Sequence, residues 1–240
     1  MRWQAWKKRL WLPGVLALLC LLTLALLLYT GTIWPNTLFV SDYGVRGIDV
    51  SSYQGRIDWE SVARSGQCSF VFIKATEGRS YKDAYFQANW RGTREQGLLR
   101  GAYHFYTDYR TGGEQANNFI SMVPKEAGML PPVLDLEVSG ADHSSMLREL
   151  KTFLGRLRQY YGIRPIIYTD RSRYAEYIEG NFDDYTIWIR DVYTPVQWSS
   201  VQRWTFWQYN SRGHVTGIPG YVDLNVFSGK RQQLDDIAIE

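Results

Sequence analysis

Residues 132–137 read PVLDLE, a short apolar run that ends in two carboxylates, Asp135 and Glu137. Residues two apart on a β-strand point to the same face, so both carboxylates would lie on one side of a strand, with Val133 below them. The intervening leucines would face the other way. The run therefore predicts a buried strand that carries chemistry at its end.

Similar β-rich runs recur along the chain and predict eight strands. The predicted strands cover residues 46–51, 70–76, 100–106, 132–137, 164–170, 186–192, 205–210 and 222–227. Helical patterns lie between the earlier runs, over residues 58–63, 83–96, 114–122 and 143–160. Alternating strands and helices favour an α/β fold with a parallel sheet, and eight strands favour closure into a barrel. Little sequence separates the last three strands, so we expect an irregular β/α barrel whose C-terminal part is richer in β-structure.

The N-terminal residues form a separate region. Residues 10–29 read LWLPGVLALLCLLTLALLLY and carry no charge, and about 20 apolar residues in a helix span a bilayer core. Three basic residues, 7–9, precede this run, and no comparable cluster follows closely. The positive-inside rule then places the N-terminus in the cytoplasm and residues 30–240 outside. A cleaved secretion signal is the alternative, but the end of the run offers no A-x-A-like cleavage site.

These patterns divide the chain into four parts. We expect a basic cytoplasmic N-terminus over residues 1–9, a single-pass transmembrane signal anchor over 10–29, a linker over 30–44 and one barrel domain over 45–240. The barrel domain would then work on the periplasmic or extracellular side of the membrane, with the lipid bilayer as a partner of the helix.

Composition argues against several classes of function. The net charge of +3 arises from 27 basic and 24 acidic residues, but four of the basic residues lie in the first thirty positions. The remaining 23 basic and 24 acidic residues give a near-neutral domain, so we expect no nucleic-acid partner. The three histidines are widely separated and no phosphate-binding loop occurs, so we expect neither a metal nor a cofactor. Cys20 and Cys68 lie in different regions, and we expect no disulfide.

Carboxylates also occur on the first and last predicted strands, as Asp49 and Asp223. In a β/α barrel, chemistry collects at the C-terminal ends of the strands. Carboxylates that share an apolar environment have their pKa values pushed apart, so one can act as a general acid while another stays ionised. Such a pair can cleave a glycosidic bond. The alternative is that these acids are helix caps, turn residues or ion-pair partners.

Aromatic residues in the predicted strands give a second indication of a sugar site, because rings stack on the apolar faces of sugars. They are Tyr103, Phe105, Tyr168, Trp188, Trp207 and Tyr209. About half of them should be ordinary core. Trp207 and Tyr209 share one face of their strand and Phe206 and Gln208 the other, and the sequence leaves open which face meets the substrate.

Seven pieces of the chain, in order, resemble glycoside hydrolase family 25, the family of lysozymes that act as N-acetylmuramidases. They are residues 47–51 (GIDVS, followed by Gln54-Gly55 and Ile57-Asp58-Trp59), 72–78 (FIKATEG), 101–105 (GAYHF), 133–137 (VLDLE), 165–169 (PIIYT), 206–209 (FWQY) and 222–225 (VDLN). The resemblance covers about residues 46–228. It implies an irregular barrel of five β/α units followed by β-strands, and hydrolysis of the β-1,4 bond between N-acetylmuramic acid and N-acetylglucosamine.

The resemblance also implies roles for the carboxylates. Glu137 would be the proton donor, and Asp135 would orient the substrate's N-acetyl group for attack on its own anomeric carbon. Asp49 and Asp223 would complete the acidic cluster. An i, i+2 pair on one strand face favours this substrate-assisted retaining route.

Other residues would contact the sugar. By resemblance, the sugar-site residues are Tyr103, Tyr168, Trp207 and Gln208, with Lys74 and Glu77 as weaker candidates whose pairing has a purely structural alternative. Arg190 departs from the family pattern after Trp188-Ile189. It could meet a substrate carboxylate or pair with Asp191 or Asp184 on the surface.

The sequence thus favours a monomeric, membrane-anchored lysozyme whose partner is the glycan of peptidoglycan. Two alternatives stay open. One is a non-catalytic wall-binding module that keeps the cleft without turnover, although such a binder would not need all four carboxylates. The other is a glycosidase for a different amino sugar polymer, such as chitin.

Overall fold

The structure, a computed structural model, describes residues 2–139 and 142–239. Its strands are β1 (Val45–Val50), β2 (Phe70–Glu77), β3 (Tyr81–Lys82), β4 (Leu99–Phe105), β5 (Val133–Leu136), β6 (Ile166–Asp170), β7 (Thr186–Arg190), β8 (Phe206–Gly213) and β9 (Val222–Phe227). All except β3 form a barrel in the order β1-β9-β8-β7-β6-β5-β4-β2, which a pairing between β1 and β2 closes. The barrel strands other than β9 are parallel to one another. Strand β9 runs antiparallel to both of its barrel neighbours, β1 and β8. The predicted irregular barrel of eight strands is therefore confirmed, with the two-residue β3 as an addition.

The helices are α1 (Arg2–Tyr29), α2 (Trp59–Ser65), α3 (Phe86–Glu95), α4 (Gly112–Met122), α5 (His143–Tyr161), α6 (Arg171–Arg173) and α7 (Arg231–Asp236). Helices α2 to α5 confirm the four predicted helical segments, with ends shifted by up to three residues. Side chains set several starts: Asp58 and Asp142 each accept a backbone hydrogen bond at the N-terminus of their helix. The turn of α6 and the π-helix that continues it to Ile178 complete a fifth β/α unit. The sequence did not predict this helix, because it is too short and irregular to show a helical period in its apolar residues.

Apolar side chains form two layers because strand residues alternate between the barrel interior and the helices. The interior layer contains Val133 together with Phe70, Phe72, Ile166, Phe206 and Phe227. Leu134 and Leu136 lie in the outer layer against the helices. This arrangement confirms the predicted facing of the PVLDLE strand.

Large rings on β2 fill the interior because neighbouring strands present glycines. Phe70 is paired with Gly47 of β1, and Phe72 with Gly101 of β4. A Cβ atom at Gly47 would lie 2.3 Å from the Phe70 ring, and one at Gly101 would lie 2.6 Å from the Phe72 ring. The missing side chains therefore make the space that the phenylalanines occupy.

Helix α1 contains a stretch, Trp11–Tyr29, that is long and apolar enough to cross a bilayer, with a mean hydropathy of 2.5. None of this stretch is buried against the rest of the chain. Length and composition thus agree with the predicted span, although the same properties are shared by secretion signals.

The segment that follows α1, predicted as a linker, packs against the barrel. Trp34 donates a hydrogen bond from its indole nitrogen to the Val192 carbonyl at 2.6 Å. The fully buried Asn36 amide donates to the carbonyls of Asp191 (2.9 Å) and Tyr209 (3.3 Å). Buried side-chain hydrogen bonds of this kind hold the segment in one position, so the end of α1 has a fixed place beside the barrel.

We predict that Gly47→Ala lowers the free energy of unfolding by about 1–3 kcal/mol, since the added methyl group overlaps the Phe70 ring. Gly155→Ala, on the exposed face of α5 with no atom within 4 Å of the new Cβ, should instead stabilise the chain by up to about 1 kcal/mol. Thermal unfolding of both variants in detergent, followed by near-ultraviolet circular dichroism, measures the difference. Equal stabilities would contradict the proposed packing.

Candidate active site

A cavity of about 400 Å³ opens at the C-terminal ends of the parallel strands. All four predicted carboxylates, Asp49, Asp135, Glu137 and Asp223, line it. Strand register brings them together: Asp49 of β1 lies directly opposite Asp223 of β9, and Asp135 lies on β5 across the barrel mouth. Side chains from all eight barrel strands thus converge on one opening.

Asp49 is the centre of a buried hydrogen-bond network. Its Oδ2 atom accepts from the Asn225 amide at 2.7 Å and from the Gln208 amide at 3.3 Å. The Tyr168 hydroxyl donates to Gln208 Oε1 at 2.7 Å, and the Trp188 indole donates to Asn225 Oδ1 at 2.8 Å. The network joins strands β1, β6, β7, β8 and β9, and it fixes the orientation of each side chain around the cavity.

Asp135 and Glu137 differ in environment although one residue separates them. Asp135 is buried, and its Oδ1 atom has no hydrogen-bond partner among the residues that the structure describes. Glu137 follows the last residue of β5 and is exposed at the rim of the cavity. An unpaired buried oxygen is costly, so Asp135 is poised to accept a hydrogen bond from a bound ligand.

Burial dominates the electrostatics of the cluster. Desolvation raises the pKa of Asp49 well above its usual value, and the nearby Asp223 carboxylate raises it further. Desolvation likewise raises the pKa of Asp135, with Glu137 and Asp49 adding to the effect. For Asp223, desolvation raises the pKa to about 6 despite the opposing charge of Arg190. The cluster therefore retains protons at a pH where isolated aspartates have lost them.

Three of the four main sugar-site candidates line the same cavity: Tyr103, Tyr168 and Gln208. Trp207 does not. It lies on the outer face of β8, fully buried against the helices, and its indole donates to the Asp191 carbonyl at 2.9 Å. Adjacent strand residues face opposite sides, and Gln208 faces the barrel interior. Trp207 therefore faces the helices, and the prediction that it lines the sugar site is wrong.

Lys74 lines the cavity, and Glu77 does not. The Lys74 ammonium pairs with Glu77 Oε2 at 2.8 Å and lies 4.9 Å from the Phe105 ring centroid. Glu77 therefore holds Lys74 in place, while Lys74 itself remains available to the cavity.

The structure adds Asn225 to the site, and it places there Trp188 and Arg190, whose roles the sequence analysis left open. Asn225, Trp188 and Arg190 all border the carboxylates, either within the Asp49 network or on the cavity wall. The alternation of side chains along a strand could have predicted their positions, because Asn225 shares a face with Asp223 and Arg190 shares a face with Trp188.

Arg190 faces the cavity rather than either surface partner considered for it. Asp191 pairs with Arg171, and Asp184 pairs with Arg164.

Among the described residues, no group of three or more potential ligands is arranged to hold a metal ion.

We predict that Asp223→Asn raises the free energy of unfolding at neutral pH by about 1–3 kcal/mol. The folded state raises the Asp223 pKa from 3.8 to about 6. Between these values the folded chain holds a proton that the unfolded chain has released, so wild-type stability falls as pH rises through this interval. Thermal unfolding from pH 3.5 to 7.5 should show the two proteins diverging above pH 4.

The control for this experiment is Asp236→Asn, an exposed carboxylate at the end of α7. It should follow the wild-type pH profile. A constant difference between Asp223→Asn and wild type at every pH would contradict the raised pKa.

Comparison with known proteins places this site in a family. The family model for glycosyl hydrolases family 25 matches residues 48–218. Over 208 residues, the chain is 37% identical to Lysozyme M1 of Streptomyces globisporus, which covers 80% of this chain and 70% of that protein. It is 39% identical over 199 residues to YegX, an uncharacterised protein of Escherichia coli K12, covering 81% of this chain and 73% of YegX.

A solved structure has the same fold. The family 25 glycosyl hydrolase from Bacillus anthracis superposes with a TM-score of 0.76 at 37% identity, over 82% of this chain and 94% of that one. The match to the family model begins in β1 and continues past β8, so it includes the strands that carry Asp49, Asp135 and Gln208. The chain is therefore a glycoside hydrolase and belongs to glycosyl hydrolase family 25.

Proposed function

We propose that this protein is a membrane-anchored lysozyme that hydrolyses the β-1,4 bond between N-acetylmuramic acid and N-acetylglucosamine in peptidoglycan. The observation that carries the proposal is the convergence of four carboxyl groups on one cavity in a family 25 chain. Lysozyme M1, which is 37% identical to this chain over 208 residues, is named as a lysozyme.

Glu137 is the proposed proton donor to the leaving oxygen. A general acid must regain its proton from solvent in each catalytic cycle, and Glu137 is the exposed member of the pair at the cavity rim. Its position just beyond β5 leaves the side chain free to approach a glycosidic oxygen lying across the opening.

Asp135 is proposed to act on the substrate's own N-acetyl group. Its unpartnered Oδ1 atom can accept a hydrogen bond from the acetamido N–H and so hold the carbonyl oxygen against the anomeric carbon. Attack by that oxygen, with proton transfer from Glu137 to the leaving oxygen, breaks the glycosidic bond and gives a cyclic oxazolinium intermediate. Water then opens this intermediate, with Glu137 accepting the proton, which retains the anomeric configuration.

The remaining cavity residues are proposed to support this step. Asp49 and Asp223 border the proposed position of the developing cation, whose charge would favour their ionised forms. Arg190 opposes the rise in the pKa of Asp135 and Asp223. Tyr103 and Tyr168 offer ring edges and hydroxyls to the sugar, with Lys74 available to its polar substituents. The Asp49 network keeps Tyr168 and Gln208 in place before the substrate binds.

The proposed location is the outer side of the cytoplasmic membrane. The apolar stretch of α1 supports a single span, and the basic residues before it support a cytoplasmic N-terminus. A monomer is sufficient, because one chain supplies all the residues assigned to the cavity. The anchor would confine cleavage to nearby wall.

A non-catalytic wall-binding module fits these observations less well, since it would retain desolvated carboxylates at a cost to stability without using them. A chitinase shares the carboxylate chemistry but lacks the support of the named relative.

We predict that Glu137→Gln reduces kcat on purified peptidoglycan by about a hundred- to ten-thousandfold, because the amide cannot donate the proton. The thermal unfolding midpoint should change little, since the side chain is exposed. Release of reducing ends measures the rate, and Glu95→Gln at the end of α3 is the matched control with wild-type activity expected. Full activity in Glu137→Gln would overturn the assignment, and wall binding without turnover in the wild type would favour the binding module.

We also predict that the full chain remains with membranes after alkaline carbonate extraction, and that protease added outside wall-stripped cells removes the barrel domain. Both follow from a span over residues 10–29 with residues 30–240 outside. Immunoblotting of membrane and soluble fractions provides the measurement. A soluble protein whose N-terminus lies after residue 29 would show a cleaved signal instead.

A further inference from the structure

A second cavity of about 300 Å³ adjoins the active site. Ser211 and Asp223 border both cavities, so the two cavities meet at these residues. Tyr53 and Tyr221 provide aromatic walls for the second cavity. A glycan strand that leaves the carboxylate cluster on this side therefore passes directly into it.

The end of α1 forms another wall of this second cavity. Tyr29, the last residue of the helix, lines it, and its ring centroid lies 5.0 Å from the Arg212 guanidinium. Arg212 also donates a hydrogen bond to the Tyr29 carbonyl and lies 5.7 Å from the Tyr221 ring. The Tyr221 hydroxyl donates to the Thr30 carbonyl at 3.0 Å. The proposed membrane helix therefore ends at the edge of the cleft.

The chemistry of these walls suits an acidic amino sugar. The side chains of Tyr53 and Tyr29 are 83% and 71% exposed, which leaves ring faces available for stacking on a sugar. Within the described part of the chain, the Arg212 guanidinium contacts two rings and a carbonyl but pairs with no carboxylate. It can therefore bind a carboxylate on a ligand, such as the lactyl or peptide carboxylate of a muramic acid unit.

We propose that this second cavity is an additional glycan-binding subsite, completed by Tyr29 from the end of the anchor helix. It would bind an acidic sugar unit outside the pair that flanks the cleaved bond. The proposal rests on the proposed muramidase function and deepens it: the anchor contributes to substrate binding as well as to location. Glycan running close to the bilayer would then be the preferred substrate.

The test measures binding without turnover. Full chains in detergent micelles carry Glu137→Gln, and Tyr29→Ala or Arg212→Gln is added to this background. Affinities are measured by calorimetry for long glycan strands and for a tetrasaccharide that fills only the sites around the cleaved bond. We expect each added substitution to raise the Kd for long strands about three- to tenfold and to leave the Kd for the tetrasaccharide unchanged.

Two controls separate a subsite from a general disturbance. Tyr29→Phe keeps the ring and should retain wild-type affinity for long strands. Tyr160→Ala removes an exposed tyrosine near the end of α5, outside both cavities, and should have no effect.

Equal losses on both ligands, or no loss in Tyr29→Ala, would overturn the inference. A Tyr29→Ala chain whose only defect is weaker membrane association would also overturn it, because Tyr29 would then be an interfacial anchor. The proposed function is judged separately by wild-type cleavage of the long strands. If the wild type fails to cleave while Tyr29→Ala weakens their binding, the subsite stands and the muramidase proposal fails.

Discussion

The buried carboxyl group of Asp49 is the constraint on which the site depends. Two side-chain amides, from Gln208 and Asn225, donate to its Oδ2 atom. Each amide in turn accepts a hydrogen bond from an aromatic residue two strands away in the barrel. A carboxyl group at this depth is costly unless it is hydrogen-bonded or protonated. The strands around it must therefore keep the register that brings these partners together, and that register also sets the position of Asp223 and Asp135.

The interior below this network explains why the carboxyl groups gather at one end. Phenylalanines fill the barrel as far as Trp188, whose ring stacks on Phe72 with centroids 4.5 Å apart. Above that plane the strands present acids and amides. Because a packed aromatic floor excludes water from one side, desolvation is the largest influence on the pKa of the buried Asp49 and Asp135 and of the half-buried Asp223. The burial of these carboxyl groups opposes the stability of the fold, and the same burial gives them the raised pKa values that suit acid–base chemistry.

Much of this arrangement could be predicted from strand alternation and motif order. The barrel followed from the alternation of strands and helices, and the facing of Val133 followed from residues two apart on an apolar run. The gathering of the four carboxylates followed from their places at strand ends and from the family resemblance. Trp207 was misplaced because alternation gives two equivalent faces, and only the register of β8 with β7 decides between them. Residues 30–44 were predicted to be a linker because their contacts with the barrel, such as that of Asn36 with Asp191, join positions more than 150 residues apart. Such contacts leave no local pattern in the sequence.

We propose that this cluster hydrolyses the bond on the reducing side of muramic acid with help from the substrate's N-acetyl group. Proton NMR of the first product released from a defined glycan strand tests it most directly, because it identifies both the sugar at the new reducing end and its anomeric form. A retaining muramidase releases N-acetylmuramic acid that is initially the β-anomer. An initial α-anomer, an anhydro end, or N-acetylglucosamine at the new reducing end would contradict it.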